Sequence, residues 1–256
     1  MEYQTYTPQI VFITGATGGF GVAMAKRFAA AGSKLILHGR DQDKLDKLNA
    51  ELNAQTHTLC FDITKKEQIT NAISSIPADF KNIDLLINNA GGALGLDKFQ
   101  DADLEDLENM IAMNNTSLIQ ISHQVIDIMV GNKKGHIINI GSIAGNWPYP
   151  AGHVYCAVKA FVKQFSLALR ADLNGTNVRV SNIEPGMVET AFSLKRFKGD
   201  IEKANAVYAN TDPLTAADIA ETIFWTACLP VHVNINTLEI MPTKQSFSPL
   251  SVEREV

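Results

Sequence analysis

The chain has 256 residues, and its 46% hydrophobic and 19% charged residues indicate a globular protein with a buried core rather than a disordered chain. The formal net charge of −5 and the lack of a basic stripe argue against a nucleic-acid partner. No apolar run is long enough to span a bilayer, and the first residues lack the features of a signal peptide, so we expect a cytoplasmic protein with no membrane partner. The three cysteines are far apart, so we expect reduced thiols and no metal site.

Short β-rich apolar runs alternate with longer amphipathic segments along the chain. The predicted strands are Ile10–Ile13, Leu35–Leu37, Thr58–Phe61, Leu85–Ile87, His136–Ile140, Val178–Val180 and Ile235–Ile240. The predicted helices are Gly21–Ala31, Asp41–Leu52, Lys65–Ile76, Leu104–Met129, Val154–Leu173 and Ala216–Cys228. This alternation is typical of right-handed βαβ crossovers in one parallel sheet. We therefore predict a single doubly wound α/β domain over residues 1–256, with about seven parallel strands and helices on both faces.

The segment 187–214 interrupts this alternation because it lacks a clean helical or strand period. A long irregular segment inside a compact domain is usually functional. We therefore predict a substrate lid at residues 187–214.

A glycine-rich turn, Thr14–Gly21, follows the first predicted strand and opens the first predicted helix. Glycines let the backbone turn tightly and approach a pyrophosphate, and free amides at the start of a helix attract its charge. The turn alone is also compatible with an ordinary tight turn. Its position between a strand and a helix favours a dinucleotide site.

The end of the second predicted strand bears on which dinucleotide binds, because an acidic residue there would repel a 2′-phosphate. The chain has His38, Gly39 and Arg40 at this place. A guanidinium matches the geometry of a phosphate, so Arg40 favours NADP, although the adjacent Asp41 weakens the positive field. The alternative is that Arg40 is a solvated residue at a helix start.

Tyr155 and Lys159 are four residues apart and therefore share one face of a predicted helix. A lysine charge about 4 Å from the phenol, at an effective dielectric constant of about 20, would lower the tyrosine pKa from about 10 toward 7. Tyr155 would then exchange protons near neutral pH, helped by the positive nicotinamide of an oxidised cofactor. Such a pair is common by chance, so the surrounding motifs must decide.

These motifs resemble the short-chain dehydrogenase/reductase family from about residue 10 to residue 240. The turn at 14–21 fits the family pattern TGxxxGxG, while 88–91 and 185–186 match motifs that follow the fourth and sixth strands. The resemblance implies a Rossmann fold and an oxidoreductase that interconverts an alcohol and a carbonyl by hydride transfer. With Arg40 as the phosphate contact, we expect NADP, held by Gly15, Thr17, Gly18, Gly19, Phe20, Gly21, Arg40, Asp62, Ile63, Asn89, Ala90, Gly91, Tyr155, Lys159, Pro185, Gly186, Val188 and Thr190.

The family's active-site tetrad is matched by Asn114, Ser142, Tyr155 and Lys159. The resemblance implies that Tyr155 donates a proton to the carbonyl oxygen as hydride arrives, while Ser142 steadies the developing oxyanion. It also implies that Lys159 binds the nicotinamide ribose and that Asn114 holds a water in a proton relay. Asn115 is an alternative for this last role. The next position in the motif, residue 117, is serine where the family usually has glycine.

Three further stretches, 139–149, 196–200 and 233–239, resemble bacterial NADP-dependent 3-hydroxy acid dehydrogenases, also described as L-allo-threonine or serine dehydrogenases and malonic semialdehyde reductases. This resemblance implies a small substrate with a hydroxyl or carbonyl β to a carboxylate. It also implies a homotetramer, to which the long predicted helices and the tail 243–256 would contribute.

From the sequence we predict that the substrate contacts Ser142, Tyr155 and Arg196. The predicted lid contains a cluster of three basic residues, Lys195, Arg196 and Lys198. A guanidinium suits a planar carboxylate better than an ammonium does, so Arg196 is the first candidate to bind the substrate carboxylate and Lys198 is the second. The alternative is a solvated loop face. Two other functions stay open: a broad carbonyl or 3-oxoacyl-carrier reductase, and a non-catalytic NADP-binding sensor.

Overall fold

Within residues 5–247, which the computed structural model describes, seven strands form one parallel sheet. The strands are β1 (Ile10–Ile13), β2 (Lys34–Gly39), β3 (Thr56–Cys60), β4 (Leu85–Asn88), β5 (Gly135–Ile140), β6 (Val178–Pro185) and β7 (Thr237–Ile240). Their order across the sheet is β3-β2-β1-β4-β5-β6-β7. The order reverses between β1 and β4, and ligands of such sheets bind at the carboxyl ends of the strands beside this reversal. The predicted doubly wound α/β fold is confirmed.

The helices of the described residues cover both faces of the sheet. They are α1 (Gly19–Ala30), α2 (Gln42–Glu51), α3 (Lys66–Ser74), α4 (Leu104–Ile111), α5 (Ser117–Gly131), α6 (His153–Asp172), α7 (Phe192–Arg196), α8 (Ile201–Ala206) and α9 (Ala216–Ala227). None of them is both long enough and apolar enough to cross a membrane. The single helix predicted over 104–129 is wrong in one respect, because a π-helical turn, Ala112–Thr116, separates α4 from α5.

The core consists of two apolar layers, one on each face of the sheet. Successive β1 residues alternate between them: Val11 and Ile13 join the layer under α1 and α9, whereas Phe12 joins the layer under α3 and α5. All four β1 residues are buried. A central parallel strand covered by helices on both faces has this continuous apolar character, which is why the strand is easily found in the sequence.

The segment 187–214 is more regular than its sequence suggests, because it contains α7 and α8. Val188 pairs with Leu214, which closes the segment at its two ends. The Tyr208 hydroxyl donates to the carbonyl of Val188 (3.1 Å), and the Ser193 hydroxyl donates to the Tyr208 oxygen (2.8 Å). The prediction of an irregular segment is therefore wrong in its local structure. That the segment acts as a lid stays a prediction.

The first residues of the C-terminal tail contact their own chain. The Gln245 side chain accepts a hydrogen bond from the Met187 amide (2.8 Å), and Phe247 lies against Trp147 with ring centroids 4.4 Å apart. The rest of the tail, 248–256, lies outside the described residues.

Candidate active site

The glycine-rich turn presents bare backbone at the start of α1. Gly15 has a φ of +64°, which favours glycine, and a Cβ on Gly21 would lie 2.6 Å from the Cα of Ala16. Gly18 caps α1, and within residues 5–247 no side chain hydrogen-bonds to its first turn and no acidic residue occupies it. The first amides of α1 are therefore left for an anion, which the helix dipole also attracts.

The end of β4 lies directly against this turn. The Asn89 side chain donates to the carbonyls of Thr14 (2.9 Å) and Gly15 (3.1 Å). In return, the Thr14 hydroxyl accepts from the amides of Asn89 and Ala90, each at 2.9 Å. A Cβ on Gly91 would lie 2.5 Å from Asn114 Oδ1 and 4.0 Å from Lys159 Nζ. Residues 89–91 therefore join the glycine turn to the candidate proton-transfer residues.

Positive charge gathers at the end of β2. Arg40 is exposed, and Asp41 pairs with Lys44 (2.9 Å) while it caps α2, so the negative charge of Asp41 is engaged. Burial and the charges of Arg40 and Lys44 lower the pKa of Lys195, which places this residue of α7 near the same corner. The corner is suited to a phosphate.

The end of β3 contributes Asp62 and Ile63. One Asp62 oxygen accepts from the amide (2.9 Å) and the hydroxyl (2.8 Å) of Thr64, and Ile63 is buried. Burial raises the pKa of Asp62, but the Thr64 hydrogen bonds and the Arg40 charge outweigh it, so the net pKa is lowered. Asp62 is therefore a carboxylate at neutral pH.

The segment after β6 returns to the glycine turn. The Gly186 amide donates to the Ile240 carbonyl (2.7 Å), which holds the end of β6 against β7, and Pro185 and Val188 are buried. A Cβ on Gly19 would lie 3.0 Å from the Thr190 Cβ. The structure thus brings Thr190 to the start of α1, as expected for residues that share one cofactor.

Ser142 and Tyr155 meet between β5 and α6. Ser142 follows β5 and begins a short 3-10 turn, Ile143–Gly145, whose Ala144 amide donates to the Ser142 hydroxyl (3.1 Å). This turn packs closely on α6, because a Cβ on Gly145 would lie 2.8 Å from the Lys159 backbone. The Ser142 hydroxyl therefore faces the Tyr155 phenol and favours its ionised form.

The Tyr155 phenol is protonated at neutral pH in this structure. Burial raises its pKa well above the usual value of 10, while Ser142 and the Arg196 charge oppose the rise without overcoming it. The Lys159 ammonium lies 5.8 Å from the Tyr155 ring centre and donates to the Ile140 carbonyl (2.9 Å). In this structure the Lys159 ammonium is held by the Ile140 carbonyl. That its charge, helped by the positive nicotinamide of the oxidised cofactor, brings the Tyr155 pKa toward 7 stays a prediction.

Lys159 is itself unusual, because it is a buried ammonium without a carboxylate partner among the described residues. Burial lowers its pKa to about 8. Asn115 supports the same helix, since its amide donates to the Val158 carbonyl (3.0 Å). Asn115 therefore positions α6.

Asn114 lies in the π-helical turn, where both hydrogens of its side-chain amide are engaged. Its amide nitrogen donates to the carbonyls of Gly92 (2.9 Å) and Met110 (2.8 Å), and its oxygen accepts from the Gly92 amide (3.2 Å). The amide oxygen keeps a second lone pair, to which a water can donate. Single π turns inside α-helices are frequent at functional sites because they disturb the regular backbone bonding.

The three basic residues of the predicted lid point in three directions. Lys195 lies near Arg40, as described above. The Arg196 guanidinium carbon is 5.7 Å from the Tyr155 ring centre, and its Nε donates to the Gly95 carbonyl (3.0 Å). Lys198 instead pairs with Asp106 (2.7 Å). Lys198 is therefore engaged elsewhere, and only Arg196 faces the candidate catalytic tyrosine.

A narrow cleft with a volume of about 10 Å³ lies beside Tyr155. Its lining includes Leu94, Met110, Ala151, His153, Tyr155 and Arg196. The cleft is also lined by acidic side chains of α4, which Lys198 partly neutralises. The Gly92–Gly95 loop and His153 were not predicted as site residues, since only the tertiary fold brings them beside α6. Among residues 5–247, no group of three or more His, Cys, Asp and Glu could hold a metal ion.

This arrangement has close parallels among known proteins. Residues 9–200 match the short chain dehydrogenase family. The chain belongs to this family. The resemblance identified from its motifs is thereby confirmed.

Similar proteins match this short chain dehydrogenase across nearly its whole length. It is 52% identical to NADP-dependent 3-hydroxy acid dehydrogenase YdfG of Salmonella typhi, with 96% of this chain and 99% of that protein covered. It is 47% identical to sulfoacetaldehyde reductase 2 of Chromohalobacter salexigens, over 96% and 99% of the two chains. The solved closed form of serine dehydrogenase complexed with NADP+ is 50% identical and superposes with a TM-score of 0.93, over 96% and 100% of the two chains.

Proposed function

We propose that this short chain dehydrogenase transfers a hydride between NADP(H) and a small 3-hydroxy acid or the corresponding carbonyl compound. The observation that carries the proposal is the position of Tyr155 between Ser142 and Arg196 at the carboxyl end of the sheet. A proton donor, a hydroxyl and a cation for an acid group therefore lie together at this end of the sheet. The names of the relatives, a 3-hydroxy acid dehydrogenase and a serine dehydrogenase, support the same substrate class.

The residues present fit the cofactor. The uncapped start of α1 suits a pyrophosphate, and the cations at the end of β2 suit a 2′-phosphate. When bound, NADP(H) supplies or accepts the hydride. We assign its contacts to Gly15, Thr17, Gly18, Gly19, Phe20, Gly21, Arg40, Asp62, Ile63, Asn89, Ala90, Gly91, Tyr155, Lys159, Pro185, Gly186, Val188 and Thr190.

In the reductive direction Tyr155 is the proton donor. Its raised pKa keeps the phenol protonated, so the proton is available when the substrate oxygen gains negative charge. Ser142 donates a hydrogen bond to the same oxygen and stabilises that charge. Lys159, held by the Ile140 carbonyl, stabilises the phenolate left behind, and Asn114 supports the relay that restores its proton.

Arg196 is assigned to the acid group of the substrate. Its Nε is held by the Gly95 carbonyl, which fixes the guanidinium between the rings of Tyr149 (5.5 Å) and Tyr155 (5.7 Å) beside the cleft. The segment 187–214 carries Arg196 and is proposed as the lid. Since Lys198 neutralises Asp106, the acidic residues of α4 repel an anionic substrate less than their number suggests.

We further propose that the enzyme is a cytoplasmic homotetramer. The exposed apolar side chains of the long helices support an assembly, since Phe161 on α6 is 38% exposed and stacks on Phe165. Light scattering of the purified protein should give four times the mass of one chain. A monomer would contradict this part of the proposal.

The function is tested by following the oxidation of NADPH and of NADH with a panel of small carbonyl compounds. We expect malonic semialdehyde to be reduced with NADPH at a higher kcat/KM than propanal, which lacks the acid group. Preference for long 3-oxoacyl thioesters would indicate a carrier reductase instead. Binding of NADPH without turnover of any member of the panel would indicate a sensor.

The cofactor assignment is tested by Arg40→Ala. We expect the KM for NADP to rise about 10- to 100-fold and the KM for NAD to change less than about threefold, because one charge-assisted phosphate contact is lost. Lys34→Ala is a matched control at the other end of β2. Equal changes for both cofactors would remove Arg40 from this role.

A further inference from the structure

A buried histidine joins the glycine turn to the end of β3. His38 is the fifth residue of β2 and is 2% exposed. Its Nδ1 is 3.1 Å from the Gly15 amide nitrogen, and its Nε2 is 3.1 Å from the Phe61 carbonyl oxygen. An amide only donates and a carbonyl only accepts, so Nδ1 carries the lone pair and Nε2 carries the proton. Both ring nitrogens are thus satisfied by backbone groups that follow the neighbouring strands β1 and β3.

The backbone of His38 reinforces the same junction. Its carbonyl accepts from the Ala16 amide (2.7 Å), so the side chain and the main chain of one residue take two successive amides of the glycine turn. The ring also lies against Phe61, with centroids 4.1 Å apart. Gly15 is therefore fixed from two sides, by His38 on β2 and by Ala90 after β4.

The contact requires a neutral ring. Burial and, less strongly, the Arg40 charge lower the pKa of His38, while the Phe61 carbonyl and Asp62 oppose them, and the net pKa is about 4. The charged groups facing the ring are thus Arg40 and Asp62. A protonated ring would turn Nδ1 into a donor that faces the Gly15 amide, and the hydrogen bond would be lost.

We propose that His38 is a positioning residue for the cofactor: its imidazole locks Gly15 and Phe61 together, and thereby sets the glycine turn against the adenosine side of the site. The proposal rests on the proposed binding of NADP(H). His38 touches none of the reacting groups, so it acts through the backbone it holds. His38 directly precedes Gly39 and Arg40 in the sequence, so it lies close to the assigned cofactor contacts although it is not assigned as a contact itself.

Three substitutions separate the two hydrogen bonds. His38→Leu removes both hydrogen bonds and replaces the ring with an apolar side chain of similar size. His38→Asn keeps an acceptor at the δ position for Gly15, whereas His38→Gln moves the amide one bond farther, toward Phe61. A variant should therefore bind the cofactor well only if its side chain keeps an acceptor where His38 Nδ1 accepts from the Gly15 amide.

A control is provided by His136, which lies at the amino end of the inner strand β5. It is also a buried, neutral histidine, 1% exposed, and its Nε2 lies 2.8 Å from the Ser181 hydroxyl. His136 is near the amino end of β5, whereas the cofactor is assigned to the carboxyl ends of the strands. His136→Leu should cost stability without affecting cofactor binding.

The experiment is direct titration of each purified variant with NADPH, followed by the fluorescence of the bound nicotinamide, together with the thermal midpoint. We expect His38→Leu to raise the Kd about 10- to 100-fold and His38→Asn less than about fivefold, with kcat at saturating cofactor within about twofold of the parent. His136→Leu should leave the Kd within about twofold. If His38→Leu fails to fold, the Kd values of the two amide variants test the proposal instead, since His38→Asn should bind NADPH more tightly than His38→Gln.

An unchanged Kd for His38→Leu, or an Asn variant that binds no better than the Gln variant, would overturn the positioning role. An equal rise in Kd for His38→Leu and His136→Leu would also overturn it, because it would reveal only a general loss of structure. If the parent protein itself did not bind NADPH, the proposed function would fail instead, and the two failures are thereby distinguished.

Discussion

At the Tyr155 phenol, burial and nearby groups act on the pKa in opposite directions, and burial is the larger effect. The protonated phenol is well prepared to donate to a carbonyl oxygen. For the reverse reaction the phenol must lose its proton first, so oxidation should need a higher pH than reduction. The positive charge of oxidised nicotinamide, when bound, would assist that loss.

Tyr155→Phe removes only the phenol oxygen. We expect kcat to fall about 100- to 10,000-fold, the usual contribution of a general acid, while the Kd for NADPH changes less than about threefold. Steady-state kinetics and fluorescence titration measure the two quantities. Tyr6→Phe is the control, because Tyr6 lies near Lys134 and Asp84 at the other edge of the sheet. Turnover of Tyr155→Phe within tenfold of the parent would remove Tyr155 from its assigned role.

Arg196→Ala tests recognition of the acid group. A charge-assisted hydrogen bond contributes about 1.5 to 3 kcal/mol, so kcat/KM for malonic semialdehyde should fall about 10- to 150-fold while that for propanal changes little. Lys203→Ala is the control, since Lys203 is an exposed cation of the same segment paired with Asp200. Equal losses for the charged and the neutral substrate would make Arg196 a structural residue.

The sequence identified Ser142, Tyr155, Lys159 and Arg196, and the fold brings all four to one end of the sheet. It did not predict how their groups are engaged. The Lys159 ammonium is held by a carbonyl of β5, a contact between residues 19 apart, and His38 accepts from a turn 23 residues earlier. Such contacts follow from the packing of strands and helices rather than from any local pattern.

At the scale of elements, the seven strands and the six longer helical regions were found because their apolar periods are strong. The π-helical turn and the short helices α7 and α8 were not. Helices of five or six residues are too short to be stable by propensity and depend on tertiary contacts, here the Tyr208 hydroxyl that joins Ser193 to Val188. The sequence carries no periodic signal for such contacts.

The junction of the glycine turn with α1 has no room for a side chain at Gly21. Gly21→Ala would press a methyl group on Ala16, and we expect a loss of about 1 to 3 kcal/mol in the free energy of unfolding together with weaker NADPH binding. Gly131→Ala is the matched control, since a Cβ there meets nothing within 4 Å, and it should be neutral or stabilise by up to about 1 kcal/mol. Urea unfolding measures both. A neutral Gly21→Ala would show that the turn can move.

At the scale of the whole molecule, two buried neutral histidines make the fold sensitive to acid. Their pKa values in the folded chain are lowered, that of His38 to about 4 and that of His136 well below its usual value of 6.5, chiefly by burial. The unfolded chain therefore binds more protons below about pH 6.5, and stability present above that pH is lost as the pH falls toward 4.

We expect the His38 contribution to this loss to be about 3 kcal/mol. Urea unfolding at pH 7.5, 6.0 and 4.5 measures the slope, and His136→Asn, which removes one of the two titrating rings, should flatten it. A free energy of unfolding that stayed constant between pH 7.5 and 4.5 would contradict the assignment of these rings as neutral.

The helix α7 joins the two ends of the site. Thr190, just before it, lies against Gly19 at the start of α1, and Arg196, its last residue, lies beside Tyr155. A ligand that shifted this helix at one end would move the residue that meets the ligand at the other end. Linkage makes such heterotropic cooperativity reciprocal, so the factor by which NADP(H) tightens an acidic substrate equals the factor by which that substrate tightens NADP(H).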